Sequence, residues 1–206
     1  MKINVYIGYD SRQDKSDKFS DLINPPYQIC KYSILKNYKG REDDLAIQPI
    51  KLQNMIDNDL YWRKDDPLAS TEFTYSRFLV PYLMNYEGIG IFCDDDFIWN
   101  CDPLELLFSL EPTKAVSCVQ HNFVKDLSGT KLDNQQNVMY PKKLWSSMMV
   151  FNNAHKDCKK LTTDIVNTKS GQWLHQFMWT DNIGKIPHTY NWCEGSCDWC
   201  TECRQE

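Results

Sequence analysis

Apolar residues fall in short runs separated by polar stretches that carry proline or glycine, and the period of the runs changes along the chain. Residues 3–7 (INVYI) form a β-rich run that stops at Gly8-Tyr9-Asp10 and predict a first strand. Residues 11–26 are polar and end in Pro25-Pro26, the pattern of a loop or short irregular helix. Residues 27–37 place Ile29, Tyr32, Ser33 and Leu35 at helical spacing. LAIQPIKL (45–52) predicts a strand near a sheet edge, because Pro49 has no N–H to give to a ladder. Phe73, Tyr75, Phe78, Leu79, Tyr82 and Leu83 mark a helical stripe over 72–84, which Pro81 must kink or restart.

Gly88-Ile89-Gly90 lead into a short apolar strand, IFC, that stops at three consecutive acids. PLELLF (103–108) opens with proline at a first helical position. AVSCVQ (115–120) and SMMVFN (147–152) predict two further strands, residues 126–140 a loop, and 157–167 and 172–180 helices. This alternation predicts an α/β fold: one domain over 1–192 with a mixed, mostly parallel sheet flanked by helices, then a Cys-rich tail at 193–206. In such sheets ligands collect at the C-terminal ends of strands.

A chain of 206 residues is enough for one compact domain. The net charge of -5 argues against nucleic acid as the main partner. MKINVYIGYD is too short and polar for a signal peptide, and no apolar run is long enough for a bilayer, so a soluble cytoplasmic protein is expected. Cys30, Cys93, Cys101, Cys118 and Cys158 are scattered and read as small apolar residues. Cys193, Cys197, Cys200 and Cys203 crowd the tail, where they could hold zinc or belong to a frayed terminus.

The chemistry concentrates at Asp94-Asp95-Asp96. Apolar residues flank the triplet on both sides, which ties it to the core. Adjacent carboxylates raise one another's pKa, and a divalent cation removes that cost. On an extended segment Asp94 and Asp96 would point the same way and Asp95 elsewhere. Hard oxygen ligands suit Mn²⁺ or Mg²⁺. A surface turn is the alternative reading of the same residues.

IFCDDDFIWNCDP resembles the DxD segment of GT-A glycosyltransferases, especially the family 8-like retaining enzymes. IGYDSR, DPLASTEFTYSRFLVPYL, YPKKLWSSMMVFNNAH and WTDNIGKIPHTYNW resemble further blocks of that fold in the same order, from about residue 3 to 192. The small glycosyltransferase domains encoded by large algal DNA viruses are similar. The resemblance implies a hexosyltransferase-type enzyme that takes a UDP-sugar donor, acts on a glycan or glycoprotein acceptor and retains configuration. It implies that Asp94 and Asp96 bind the metal and that Asp95 lies with the donor. Gly8, Tyr9 and Asp10 would contact the base, Arg77 the phosphates or donor sugar, and Ser146 and Ser147 the sugar pocket. Asp181 would stand near the anomeric carbon.

The C-terminal His block that gives family 8-like enzymes a third metal ligand has no counterpart here. His188 is the nearest candidate and His121 a second, although a structural role suits either. Two other functions stay open: a nucleotidyltransferase acting on sugar phosphates, and a non-catalytic carbohydrate-binding or capsid-associated module. The first would need a Gly-rich basic loop after the first strand, where this chain has only Gly8.

Overall fold

The computed structural model describes residues 2–14, 23–64, 66–67, 69–108, 110–123, 129–130, 136–137, 140–194 and 197. Along it run β1 (Ile3–Tyr9), α1 (Pro25–Asn37), β2 (Leu45–Lys51), α2 (Leu52–Asp57), α3 (Val80–Leu83), β3 (Ile89–Cys93) and α4 (Pro103–Phe108). There follow β4 (Val116–Val119), β5 (Gly129–Thr130), β6 (Gln136–Asn137), β7 (Met148–Asn152), α5 (Thr163–Thr168), α6 (Gly171–His175) and β8 (Ile183–Ile186). Six strands form one sheet in the order β2-β1-β3-β7-β4-β8, and β5 pairs with β6 apart from it.

The sheet is mixed, as the sequence predicts. β1 pairs in parallel with β2 and β3, and β4 with β8, whereas β7 runs antiparallel between β3 and β4. The first residue of β7 therefore lies beside the last of β3, with Met148 opposite Cys93. One edge of the sheet thus gathers the C-terminal ends of five strands and the start of β7.

β1 is buried on both faces, as a strand inside a covered parallel sheet must be. Val5, Ile7, Ile91 and Val150 pack with Tyr27, Cys30 and Ile34 of α1 on one face. Tyr6, Phe92, Met149 and Phe151 pack with Phe78, Val166 and Leu174 on the other. Phe78 is fully buried, so truncating it to alanine would cost about 3–5 kcal/mol.

Local sequence explains the helix starts. Asn24 caps α1 by accepting from the Tyr27 N–H at 3.2 Å. Pro25 and Pro26 fill the first turn, where a missing N–H costs nothing; they open the helix rather than end a loop. Thr162 and Ser170 cap α5 and α6 in the same way. The stripe at 72–84 is not one helix. Residues 72–75 are turns, Ser76–Leu79 a 3-10 helix, and α3 restarts with Pro81 in its first turn.

β2 takes the expected edge position. β8 is a strand the sequence pattern did not show. Of the expected loop at 126–140, residues 129–130 and 136–137 pair as a short ladder, and most of the rest lies outside the described residues. Cys200 and Cys203 also lie outside them, so the tetracysteine reading is not addressed by the fold. Cys30, Cys93, Cys118 and Cys158 are buried, in keeping with their apolar role. No helix among the described residues is long and apolar enough to cross a membrane.

Candidate functional site

β3 carries the triplet to the C-terminal edge of the sheet, but the extended conformation ends at Cys93. Residues 95 and 96 form a turn, so strand alternation does not govern the three side chains. Asp94 is 23% exposed, Asp95 is buried and Asp96 is exposed. Strand alternation would set Asp94 and Asp96 on one side and Asp95 on the other; the turn instead buries Asp95 and leaves Asp96 exposed. Asp94 Oδ1 and Asp95 Oδ2 are buried without a hydrogen-bond partner. Burial, with the neighbouring acids, pushes Asp94 up to about 7 against the pull of Arg77. Burial followed by Asp96 and Asp10 pushes Asp95 up to about 7.

Arg77 explains how Asp94 is held. Its guanidinium is buried and gives Nε to the carbonyls of Phe73 and Thr74 at 3.2 and 3.1 Å. Nη1 donates to the Ser146 carbonyl at 2.9 Å. The same Nη1 lies 2.7 Å from Asp94 Oδ1, an ion pair that lacks hydrogen-bond alignment. The guanidinium also lies over the Phe92 ring at 4.9 Å. The start of β7 closes this cage. The Asp94 N–H donates to the Ser147 carbonyl at 2.9 Å, and the Ser147 hydroxyl accepts from Asn191 Nδ2 at 2.8 Å. Ser146 Oγ meets His175 Nδ1 at 2.7 Å. Burial and then the Arg77 charge push His175 down to about 3, so it is neutral.

The β1 end is less open than expected. The Tyr9 ring is buried edge-on to Tyr27, and Lys51 stands 4.3 Å over its face. Its hydroxyl donates to Asp14 at 2.7 Å. Burial would raise Asp10, but both of its oxygens meet Arg12, which holds the carboxyl below its usual range. Gly8 is covered by Phe73: a Cβ there would come within 2.6 Å of the ring. A recess of about 250 Å³ borders Tyr9, Ser11, Lys51 and Glu72. Stacking on Tyr9 would require Lys51 to move.

Asp181 is not brought to the triplet. It is exposed and precedes β8, a strand parallel to β4, and so lies at the opposite edge of the sheet. His188 is buried against the His121 ring, with centroids 5.7 Å apart. Among the described residues no three His, Cys, Asp or Glu side chains converge as a metal cage.

No protein-family model matches the chain. Protein CDI of Arabidopsis thaliana is 38% identical over 193 residues, which are 93% of this chain and 69% of that protein. The chain belongs to the CDI family. Solved structures show which fold this family member has. The glycosyltransferase GlyE of Streptococcus pneumoniae superposes with a TM-score of 0.53 at 14% identity, over 93% of this chain and 46% of its own. The bifunctional glycosyltransferase WbbM gives 0.58 at 14% identity, over 91% and 39%. Mouse xyloside xylosyltransferase 1 gives 0.51 at 9% identity, over 95% and 89%. The fold is GT-A. The chain spans less than half the length of the GlyE and WbbM chains.

In this CDI-family chain the Asp94 and Asp96 carboxylates would suit a hard divalent cation. They are oxygen ligands, and the acids of the triplet raise one another's pKa. Water or donor oxygens would complete the shell. Sequence reasoning missed His175, which reaches Ser146 across 29 residues and leaves no local signal. It grouped Cys193 with the tail, whereas the fold brings it within the field of Asp94 and Asp96. Burial, then Cys197 and those two acids, pushes its thiol up to about 12.

Proposed function

We propose that this protein transfers a sugar from a UDP-sugar to a hydroxyl on a glycan or glycoprotein acceptor, with Asp94 and Asp96 holding Mn²⁺ or Mg²⁺ and Asp95 beside them. The observation that carries the reading is a run of three carboxylates that raise one another's pKa at the C-terminal edge of a GT-A sheet. In the reaction the bond from the anomeric carbon to the diphosphate oxygen breaks and a bond to the acceptor oxygen forms. The acceptor hydroxyl gives its proton to the departing diphosphate oxygen. A bound cation would supply charge neutralisation at the departing diphosphate. Arg77 keeps Asp94 in one place through the Ser146 carbonyl, and its charge adds to that neutralisation. Retention and the hexosyl class rest on the family 8-like resemblance alone.

A nucleotidyltransferase would need a basic loop after β1 to cradle phosphates; here Arg12 is tied to Asp10. The transferase reading is tested by thermal shift with UDP-sugars and GDP-sugars, with and without Mn²⁺. A rise in Tm for UDP-sugars that requires Mn²⁺ is expected. Equal shifts with GDP-sugars would refute the uridine assignment, and no shift with any nucleotide sugar would refute the transferase reading.

A further inference from the structure

A recess of about 400 Å³ lies between the first turn of α1 and the segment that follows the triplet. Pro25, Pro26 and Ile29 form one wall, Phe97 and Ile98 belong to the other, and Asp95 and Asp96 also line it. The recess is unsuited to an anion. Pro25 and Pro26 have no N–H to offer, the next N–H, of Tyr27, is given to Asn24, and two acids face the space. Its apolar wall continues onto the surface. Ile29 is 45% exposed, Ile98 65%, and on α1 Tyr32 and Leu35 are 65% and 52% exposed. Ile29, Tyr32 and Leu35 are three residues apart, so they mark a track about 9 Å long down the helix. An elongated apolar track matches a chain better than a compact ring. At the acidic side, Asp95 is 5% exposed and its Oδ2 has no partner. A carboxylate oxygen in that state calls for a donor such as a hydroxyl.

We propose that this recess seats the alkyl chain of an amphipathic acceptor, a glycan carried on a lipid-like tail, with a hydroxyl of its head group resting on Asp95. The proposal rests on the transferase reading and narrows its acceptor class. The triplet would then stand between the donor and the acceptor head, while the tail runs along α1.

The test is calorimetry with the full chain, Mn²⁺ and saturating UDP, titrating n-octyl β-glucoside below its micelle concentration against methyl β-glucoside. The octyl compound is expected to bind at least about tenfold more tightly, as several methylenes leave water. Ile29→Ser and Ile98→Ser are exposed changes that leave the fold intact. Each should weaken octyl binding by about threefold or more and leave methyl glucoside and UDP affinities unchanged. Asp95→Asn should weaken both glucosides. Equal affinity for the two glucosides, octyl binding indifferent to both isoleucine variants, or displacement of the octyl compound by UDP would overturn the proposal. Octyl binding with these dependences in a protein that takes up no UDP would uphold the recess and sink the transferase reading instead.

Discussion

One buried acid and a buried pair sit at opposite edges of one sheet, and their surroundings are opposite too. Asp157, beyond the C-terminal end of β7, meets Lys160 Nζ at 2.7 Å, the Thr180 hydroxyl at 2.7 Å and Asn182 Nδ2 at 2.8 Å. Burial works against its charge, but the hydrogen bonds from Lys160, Asn182 and Thr180 hold its carboxyl far below the usual range. Asp94 and Asp95 at the other edge have one misaligned guanidinium and each other, and both are pushed up to about 7. The residue type is the same, and Asp95 and Asp157 are both 5% exposed; Asp94 and Asp95 feel a stronger desolvation and receive fewer donors. A carboxylate whose donors all come from the chain belongs to the scaffold. One whose donors are missing is built to meet something else.

The comparison can be broken most directly at Asp94. Asp94→Asn is expected to weaken Mn²⁺-dependent UDP-sugar binding by more than about tenfold with the fold retained, whereas Asp157→Asn leaves that affinity unchanged. Calorimetry on the two variants decides it, and equal behaviour would erase the distinction. Arg77→Lys comes next. A lysine cannot serve three carbonyls and Asp94 together, so a stability loss of about 2–4 kcal/mol is expected by urea denaturation. Turnover should fall further than donor affinity, because the Arg77 charge counts most as charge develops on the departing diphosphate.

Asp157→Asn should itself cost about 2 kcal/mol at pH 7. The folded-state pKa of Asp157 is depressed, so its stabilising effect is present above the unfolded value near 4 and is lost as pH falls through the acid range. Denaturation at pH 7 and pH 3 should therefore show wild type and variant converging in acid. Asp95→Asn should act in the opposite direction. In chelator, removing one of three adjacent acids should stabilise the protein by about 1 kcal/mol, a rise of roughly 2–4 °C in Tm. A fall would mean that Asp95 is satisfied after all. The smallest effect belongs to Asp181→Asn, an exposed residue at the Asp157 edge. Stability should change by less than about 0.5 kcal/mol, and steady-state kinetics should match wild type.

What could be read from the sequence follows from how local each feature is. Five strands of the large sheet were legible because each is an apolar run with its own stop signal. β8 was not, since Ile183-Gly184-Lys185-Ile186 is too short to show a period and becomes a strand by pairing with β4. The expectation for Asp181 comes from the resemblance of its segment, not from the strand pattern. Once β8 is recognised as parallel to β4, a residue before it must lie away from the C-terminal edge. The triplet was legible because IFC and FIW bracket three acids with apolar residues, which ties the run to the core. Which acids are buried was not, because alternation was carried past Cys93 into a turn. The links from Arg77 to Ser146 and from Ser146 to His175 depend on the antiparallel placement of β7, which no local pattern reports.

Gly8 has a consequence of another kind. The Phe73 ring occupies the space where a side chain at position 8 would begin, and the Phe73 carbonyl is one of the oxygens that hold Arg77 Nε. The bare backbone of β1 therefore acts as a spacer that sets how deeply the Arg77 segment can settle. A single methyl group on that strand would lift the phenyl ring, carry its carbonyl outward and loosen Arg77's grip on Asp94. It could do so without touching any ligand. The calibration of the acidic site lies partly in an atom the chain leaves out.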